Sequence, residues 1–403
     1  MRRVRLCQHT KDDGKLCGSP AMRRKNYCYF HLEAVRRRRR LALMARTRRL
    51  LAEAKLVIID LTNPYFSGII RYMEAPRTLQ QAIQYFADEQ VCIDAVASLR
   101  WPDGPECPHC FVKEPYYLAA QKRWKCRSCR KQFSVKVKSI FEDSPVSLCK
   151  WLPALWLLVN AKNGVSSYEL HRALGVSQKT AWFMLHRLRL VMKRRDLAFK
   201  LGGNDAGPVE VDETFVGGRV QNMHKSKRVK LQRIRGQQLE TNHLNKTIVM
   251  GMLDRELRQV RAMVIPNTKR ETLQNQILGE IKYGSTVFTD EHVGYDKLRD
   301  KYVHEIVTHT EEYVRGQVHT NGIENFWSLF KRMVRGTYVA VEPFHLDRYL
   351  DEQIFRFENR ATKDNPLNDA DRFVLALAQV ANRRLTFAEL TGKSGSQTEA
   401  EPF

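Results

Sequence analysis

Four cysteines stand in two pairs, Cys107-Pro-His-Cys110 and Cys126-Arg-Ser-Cys129, with 15 residues between them. Each C-x2-C pair makes a tight knuckle that turns two thiolates toward one tetrahedral ion. The spacing is that of a four-thiolate zinc ribbon. Tyr116, Tyr117, Trp124 and Lys125 lie between the pairs, as expected of a small β-hairpin unit that needs zinc to fold. Nearer the N-terminus, Cys7, Cys17, Cys28 and His31 form a less diagnostic set of three cysteines and a histidine. Unrelated reduced thiols are the alternative there, and His9 is a spare imidazole. One to two structural Zn2+ ions are therefore expected. Cys92 and Cys149 are left over and are expected to be buried, inert thiols.

Three carboxylates also stand at informative places. Asp212 lies between apolar neighbours in VEVDETFVGG, Asp290 ends the apolar run of STVFTDEHVGY, and Glu324 lies in HTNGIENFWSLFKR. In the last stretch Ile323, Phe326, Trp327 and Phe330 recur at helical spacing and make one apolar stripe. Glu324 sits at its edge, and Lys331 lies seven residues on, almost on the same line. Phosphodiester chemistry needs such a set. Two Mg2+ (or Mn2+) ions roughly 4 Å apart clamp the attacking and leaving oxygens of an in-line displacement, and hard cations take oxygen ligands. Water or a 3′-hydroxyl attacks, so no nucleophilic side chain is required. Taken alone, Glu324 is a surface residue as readily as a ligand. Glu213 and Glu291 adjoin the aspartates and are expected to face the other side of their strands or a turn. Structural roles are expected for His292, His309 and His319.

These residues need elements to hold them. Apolar spacing predicts helix from Thr78 to Leu99, then a break at RWPDGPE, the ribbon, and a buried helix over 148–161. GVSSYELHRALGVSQKTAWFMLHRLRLVM, 164–192, predicts two helices joined by a turn at Gly175-Val176-Ser177, with Ser177 as N-cap. That is the pattern of a helix-turn-helix, with an ordinary helical hairpin as the alternative. Gln178, Lys179 and Thr180 would reach bases, and His186, Arg187 and Arg189 would track phosphates. Beyond the linker LGGNDAGP the pattern is three strands, helix, strand, helix, strand, helix. This is the order of an RNase H-like α/β domain with a mixed sheet. Between its first two strands RVQNMHKSKRVKLQRIRGQQ holds seven Lys/Arg and no acid. Lys225, Lys227, Arg228 and Lys230 there suit a DNA backbone, a solvated loop being the alternative.

Lys plus Arg outnumber Asp plus Glu by 68 to 44, a net charge of +24. A balance this basic points to a polyanion, most often nucleic acid. Residues 1–50 hold 16 Lys/Arg against 3 Asp/Glu, and RRRRR at 36–40 is the densest run. No apolar h-region follows the Arg-rich start, and LPALWLLV is too short to span a membrane. A cytoplasmic protein without structural disulfides, and without a membrane partner, is expected.

PRTLQQAIQYFAD, RWPDGPECPHC, KCRSCRKQFSV, LGVSQKTAW, VEVDETFVGG, TDEHVGY, HTNGIENFWSLFKR and HLDRYLDEQIFRFENR together resemble a bacterial insertion-sequence transposase of the DDE class, ISXO-like type. The resemblance covers about residues 73–390. It implies a catalytic triad at Asp212, Asp290 and Glu324, with Lys331 as the basic residue seven after the acid. It implies Mg2+-dependent cutting at the element's ends and transfer of 3′-hydroxyls into target DNA. Double-stranded DNA is then the partner, the nucleoid the location, and a homo-oligomer the expected state in the DNA complex. Some relatives carry Asn at the third acid; here Asn321 and Asn325 flank Glu324. A catalytically silent DNA-binding descendant is the alternative. The expected organisation is a three-cysteine, one-histidine zinc motif (1–35), a basic helical linker (36–72), and a helix with the four-cysteine ribbon (73–140). A helix-turn-helix region (141–200), the DDE domain (205–365) and a C-terminal helix with a disordered tail (366–403) follow. Residues 1–72 depart from the family pattern.

Overall fold

The computed structural model describes residues 76–393 apart from 102, 194–199, 204–206, 219–223, 227, 230–245, 292, 296–297, 307–318 and 363–364. The N-terminal cysteine and histidine set, the arginine run, Lys227, Lys230, His292, His309 and the C-terminal tail lie outside the described residues. The chain divides into two compact units, Met1–Leu56 with Ala361–Pro366 and Val57–Arg360 with Leu367–Phe403. Every element named below belongs to the second.

The predicted helix over 78–99 is two helices, α1 (Leu79–Tyr85) and α2 (Glu89–Arg100). Thr78 and Gln81 close a capping box on α1, and the Asp88 carboxylate caps α2 through the Gln90 N–H at 2.7 Å. Asp88 satisfies an exposed helix start in mid-segment, which the apolar period alone does not reveal. The ribbon holds three short antiparallel strands in the order β1 (Tyr116–Leu118), β2 (Arg123–Lys125), β3 (Gln132–Phe133). The expected hairpin has gained a strand after the second knuckle. Trp124 meets Trp101 edge-on at 5.2 Å and stacks on Phe133, so aromatic packing joins the metal knuckles to α2.

The buried helix is α3 (Leu148–Asn160), apolar on nearly every side. Ser147 caps it, and the Glu89 carboxylate accepts from the Leu148 N–H at 3.2 Å, an acid where the helix dipole favours one. Next come α4 (Ser167–Leu174) and α5 (Gln178–Met192). Ser166 and Glu169 form a capping box on α4, which ends at Gly175, and Ser177 accepts the Thr180 N–H at 3.1 Å.

The second half is a five-stranded sheet. In chain order its strands are β4 (Val209–Val216), β5 (Thr247–Asp254), β6 (Gln259–Ile265), β7 (Thr286–Thr289) and β8 (Val303–Ile306), with α6 (Arg270–Glu280) between β6 and β7. The spatial order is β6-β5-β4-β7-β8. β4–β5 and β5–β6 are antiparallel, while β4–β7 and β7–β8 are parallel. The last strand starts two residues before the expected EIVTH. After it come α7 (Asn321–Met333), a π-helical turn Val334–Tyr338, and α8 (Leu346–Glu358). Two short helices, α9 (Asp369–Leu377) and α10 (Phe387–Leu390), stand where one C-terminal helix was expected.

Strand alternation sorts β4 onto two cores. Val209 and Val211 pack with Leu273 and Ile277 of α6 on one face. On the other, Ile323, Phe326, Trp327, Phe330 and Met333 of α7 bury against Val249 and Leu253 of β5 and against α8. The predicted apolar stripe is thus the seam of α7. Among the described residues no helix is long and apolar enough to cross a membrane.

Candidate metal centres and nucleic-acid surface

The four ribbon cysteines meet. Their sulfurs all lie within 4.8 Å of one another, with Cys107–Cys129 at 3.6 Å and Cys110–Cys126 at 3.5 Å. The Cys129 N–H donates to Cys126 Sγ at 3.4 Å and brings that thiol down to about 7. All four are free thiols. Four soft donors on two knuckles fit one tetrahedral Zn2+. Cys92 and Cys149 lie apart from this group, with their sulfurs 3.8 Å from each other. Cys92 is buried as expected, but Cys149 is only partly so.

The three carboxylates come from three elements of the sheet domain. The parallel pairing of Val209 with Val287 and Glu210 with Phe288, extended by two residues, sets Asp212 level with Asp290 on the neighbouring strand. α7 crosses the same face, bringing Glu324 toward Asp212. Burial pushes the Asp212 carboxyl up to about 7, and the charges of Asp290 and Glu324 push it the same way. The Glu213 N–H donates to Asp212 Oδ1 at 2.9 Å. Glu324 is exposed at the helix start, and its Oε1 accepts from the buried Thr320 hydroxyl at 2.9 Å. Among the described residues only the cysteine group closes to within 4.8 Å; the three acids are spread more widely. Carboxylate oxygens are hard donors of the kind that hold Mg2+ or Mn2+ when substrate and water complete the shells.

Glu213 points to the opposite face, where the buried Tyr295 hydroxyl donates to it. Burial pushes the Glu213 carboxyl up to about 7, with Asp290 and Asp212 adding to the rise. Glu291 is exposed. His319 is tied to the Arg255 guanidinium at 2.7 Å, and burial followed by that positive charge lowers its pKa. Lys331 is partly buried on α7, close enough for Arg335, Asp212 and Lys246 to act on it.

Sequence reasoning missed Glu210. It is fully buried, bonds Arg255, and accepts the Ile323 N–H of α7 at 2.7 Å. It therefore anchors the start of the helix that carries Glu324. Gly322 permits this approach: a Cβ there would lie 2.6 Å from Leu253 Cδ2 and 2.9 Å from Glu210 Oε2. The available signal was parity, since Glu210 and Asp212 are two apart on one strand and share a face.

The expected DNA-reading residues divide. Lys179 is exposed, with its ammonium 4.9 Å from the Phe387 ring centre. Gln178 and Thr180 are partly exposed, but Gln178 donates to Ser167 Oγ at 2.9 Å and Thr180 shares a 2.8 Å hydroxyl contact with Ser177. After β4, Lys225 is exposed and Arg228 partly so, and both have helical backbone rather than the loop expected there. His186, Arg187 and Arg189 are all buried, which corrects the expectation that they track phosphates. Arg187 donates to the carbonyls of Leu385, Ile140 and Glu142. Arg189 pairs with the buried Glu352 at 2.6 Å and stacks on Tyr349. The helical period of α5 turns this basic set inward onto α8 and the segment before α10.

Residues 205–358 match the family model of the ISXO2-like transposase domain, and residues 87–132 match that of the transposase zinc-ribbon domain. Both matched spans contain motifs by which the sequence resembles insertion-sequence transposases. It is also 29% identical over 262 residues to an uncharacterized protein in transposable element ISH50 of Halobacterium salinarum, covering 62% of this chain and 84% of that protein.

Proposed function

We propose that this chain is an active transposase. It would bind the ends of its insertion sequence, cleave phosphodiester bonds there, and transfer the 3′-hydroxyl ends to target DNA. The observation that carries the reading is the placement of Asp212, Asp290 and Glu324 on one face of the sheet. The element order and the mixed sheet support an RNase H-like catalytic domain. The paired helices α4 and α5 support a helix-turn-helix beside the ribbon, though with fewer outward basic residues than the sequence suggests.

Asp212, Asp290 and Glu324 would hold two Mg2+ or Mn2+ ions, which supply Lewis-acid stabilisation of the attacking and leaving oxygens. The chain's own residues do the positioning. Glu210 and Thr320 fix where Glu324 stands. Lys331, with Arg335 and Lys246 close by, gives the substrate phosphates a positive neighbour beside Asp212. Lys179, Lys225 and Arg228 offer outlying backbone contacts, and synapsis of two ends calls for a homo-oligomer.

The test uses purified protein, Mg2+ and labelled duplex carrying the DNA that flanks this reading frame. Cut ends and joined products from wild type but not from Asp290→Asn are expected. Cutting by both proteins would refute the triad. Binding without cutting by either would favour a catalytically silent DNA-binding descendant.

A further inference from the structure

Cys92 near the start of α2 and Cys149 near the start of α3 are free thiols that neither the ribbon nor the sheet domain uses. Their sulfurs face each other at 3.8 Å. Both are also held on the turn between α1 and α2. Cys92 Sγ lies 3.4 Å from the Phe86 carbonyl oxygen, while Cys149 Sγ lies 3.4 Å from that of Ala87 and 3.2 Å from Glu89 Oε2. Among the described residues no third histidine, cysteine or carboxylate completes a group within 4.8 Å with these two sulfurs, so the pair lacks the ligands of a zinc site. The chemistry left to two facing thiols is to join. Disulfide sulfurs stand about 2.05 Å apart, so the pair has less than about 2 Å to close. Access is unequal. Cys92 is fully buried, whereas Cys149 is partly exposed, and oxidation of a thiol follows its exposure. Burial also pushes the Cys92 thiol up, which keeps it protonated.

We propose that Cys149 and Cys92 are a modification site for hydroperoxides, which convert the pair to a disulfide with Cys149 attacked first. In the first step the Cys149 sulfur takes the terminal oxygen of the hydroperoxide. An S–O bond forms, the O–O bond breaks, and a sulfenic acid and an alcohol result, or water when the oxidant is hydrogen peroxide. In the second step the Cys92 sulfur attacks the sulfenic sulfur. The S–S bond forms, the S–O bond breaks, and the hydroxyl leaves as water with the Cys92 proton. Two thiols give up two electrons and one hydroperoxide takes them. The bond ties α2, whose C-cap Trp101 packs edge-on against Trp124 of the ribbon, to the buried helix α3. It links positions 57 apart in the chain, with all four ribbon cysteines between them.

The experiment treats the full chain, purified with Zn2+, with hydrogen peroxide, blocks the remaining thiols with iodoacetamide, and maps tryptic peptides by mass spectrometry. Trypsin releases Cys92 on the peptide 78–100 and Cys149 on the peptide 139–150, each holding that cysteine alone. In wild type the two peptides should appear joined, lighter than their sum by two hydrogens, and should separate on reduction with dithiothreitol. In Cys92→Ser, dimedone should label the 139–150 peptide, because the sulfenic acid has no thiol to meet. In Cys149→Ser the 78–100 peptide should stay reduced. Wild-type peptides still reduced at a dose that oxidises glutathione in the same tube would overturn the proposal. So would Cys149 driven to sulfinic acid without a link, or joined to a ribbon cysteine instead. Dimedone on the 78–100 peptide of Cys149→Ser would overturn the order of attack. The wild-type map needs no variant, and Cys92→Ala replaces Cys92→Ser if serine at the buried position prevents folding.

Discussion

At the scale of single residues, the ribbon cysteines and the sheet carboxylates make different demands. Soft thiolates in a closed group suit a structural ion, while separated hard oxygens beside a basic edge suit ions that act on a substrate. Cys126→Ser should lower zinc content by one ion per chain, measured by elemental analysis, and should loosen the packing around Trp124, read by its fluorescence. Retained zinc would show that the ion is held elsewhere. On the proposed reading, in which the Lys331 ammonium meets a substrate phosphate and not the ion, Lys331→Ala should reduce cleavage while leaving Mn2+ affinity near wild type. An equal loss in both would place Lys331 in the metal site's own support.

At the scale of elements, α7 decides the site. Its stripe packs on β5 and α8, while Glu210 and Gly322 set how closely its first turn meets the sheet. Gly322→Ala would force Leu253 or Glu210 aside and shift Glu324. A misplacement of about 1 Å costs roughly 100-fold in rate, so cleavage should fall by about that factor with DNA binding retained. Full activity would mean that Glu324 tolerates the shift. Phe330→Ala, deep in the same stripe, should cost about 3–5 kcal/mol of stability, measurable by denaturant unfolding.

At the scale of the molecule, a buried charge cluster ties the helical half to the sheet domain. Glu352 of α8 accepts from Arg189 of α5, from Arg356, and from Tyr338 in the turn after α7, at 2.6 Å for the last. Burial alone would favour the neutral acid, but Arg356 and Arg189 hold its pKa below the ordinary glutamate value. A lowered native pKa contributes stability that is present above the unfolded value and lost as pH falls through the native one. Wild type should therefore lose stability as pH drops below about 4.3, and Glu352→Gln should flatten that part of the profile. The same substitution leaves two arginines short of a buried counter-charge, at a cost of about 3–5 kcal/mol near neutral pH. An unchanged acid limb would show that Glu352 does not carry the linkage. The outward basic residues predict another whole-molecule property. If six to ten phosphates are contacted, DNA affinity should fall about 1,000-fold or more between roughly 50 and 200 mM salt.

The sequence by itself determined what is local. Cysteine knuckles, the Ser177 cap, the apolar stripe of α7 and the alternation of β4 depend on spacings of two to four residues, and all are found where those spacings place them. The candidate acids were legible because each interrupts or ends an apolar pattern. Only the tertiary structure decided which basic residues face outward. Arg187 and Arg189 look like phosphate ligands on a helix taken alone, yet their partners, Leu385 and Glu352, lie more than 160 residues away in the chain. Strand parity places Glu210 on the face of Asp212, but its bond to the Ile323 N–H arises only where α7 lies across β4, and no periodicity within one segment records which distant element will cover it.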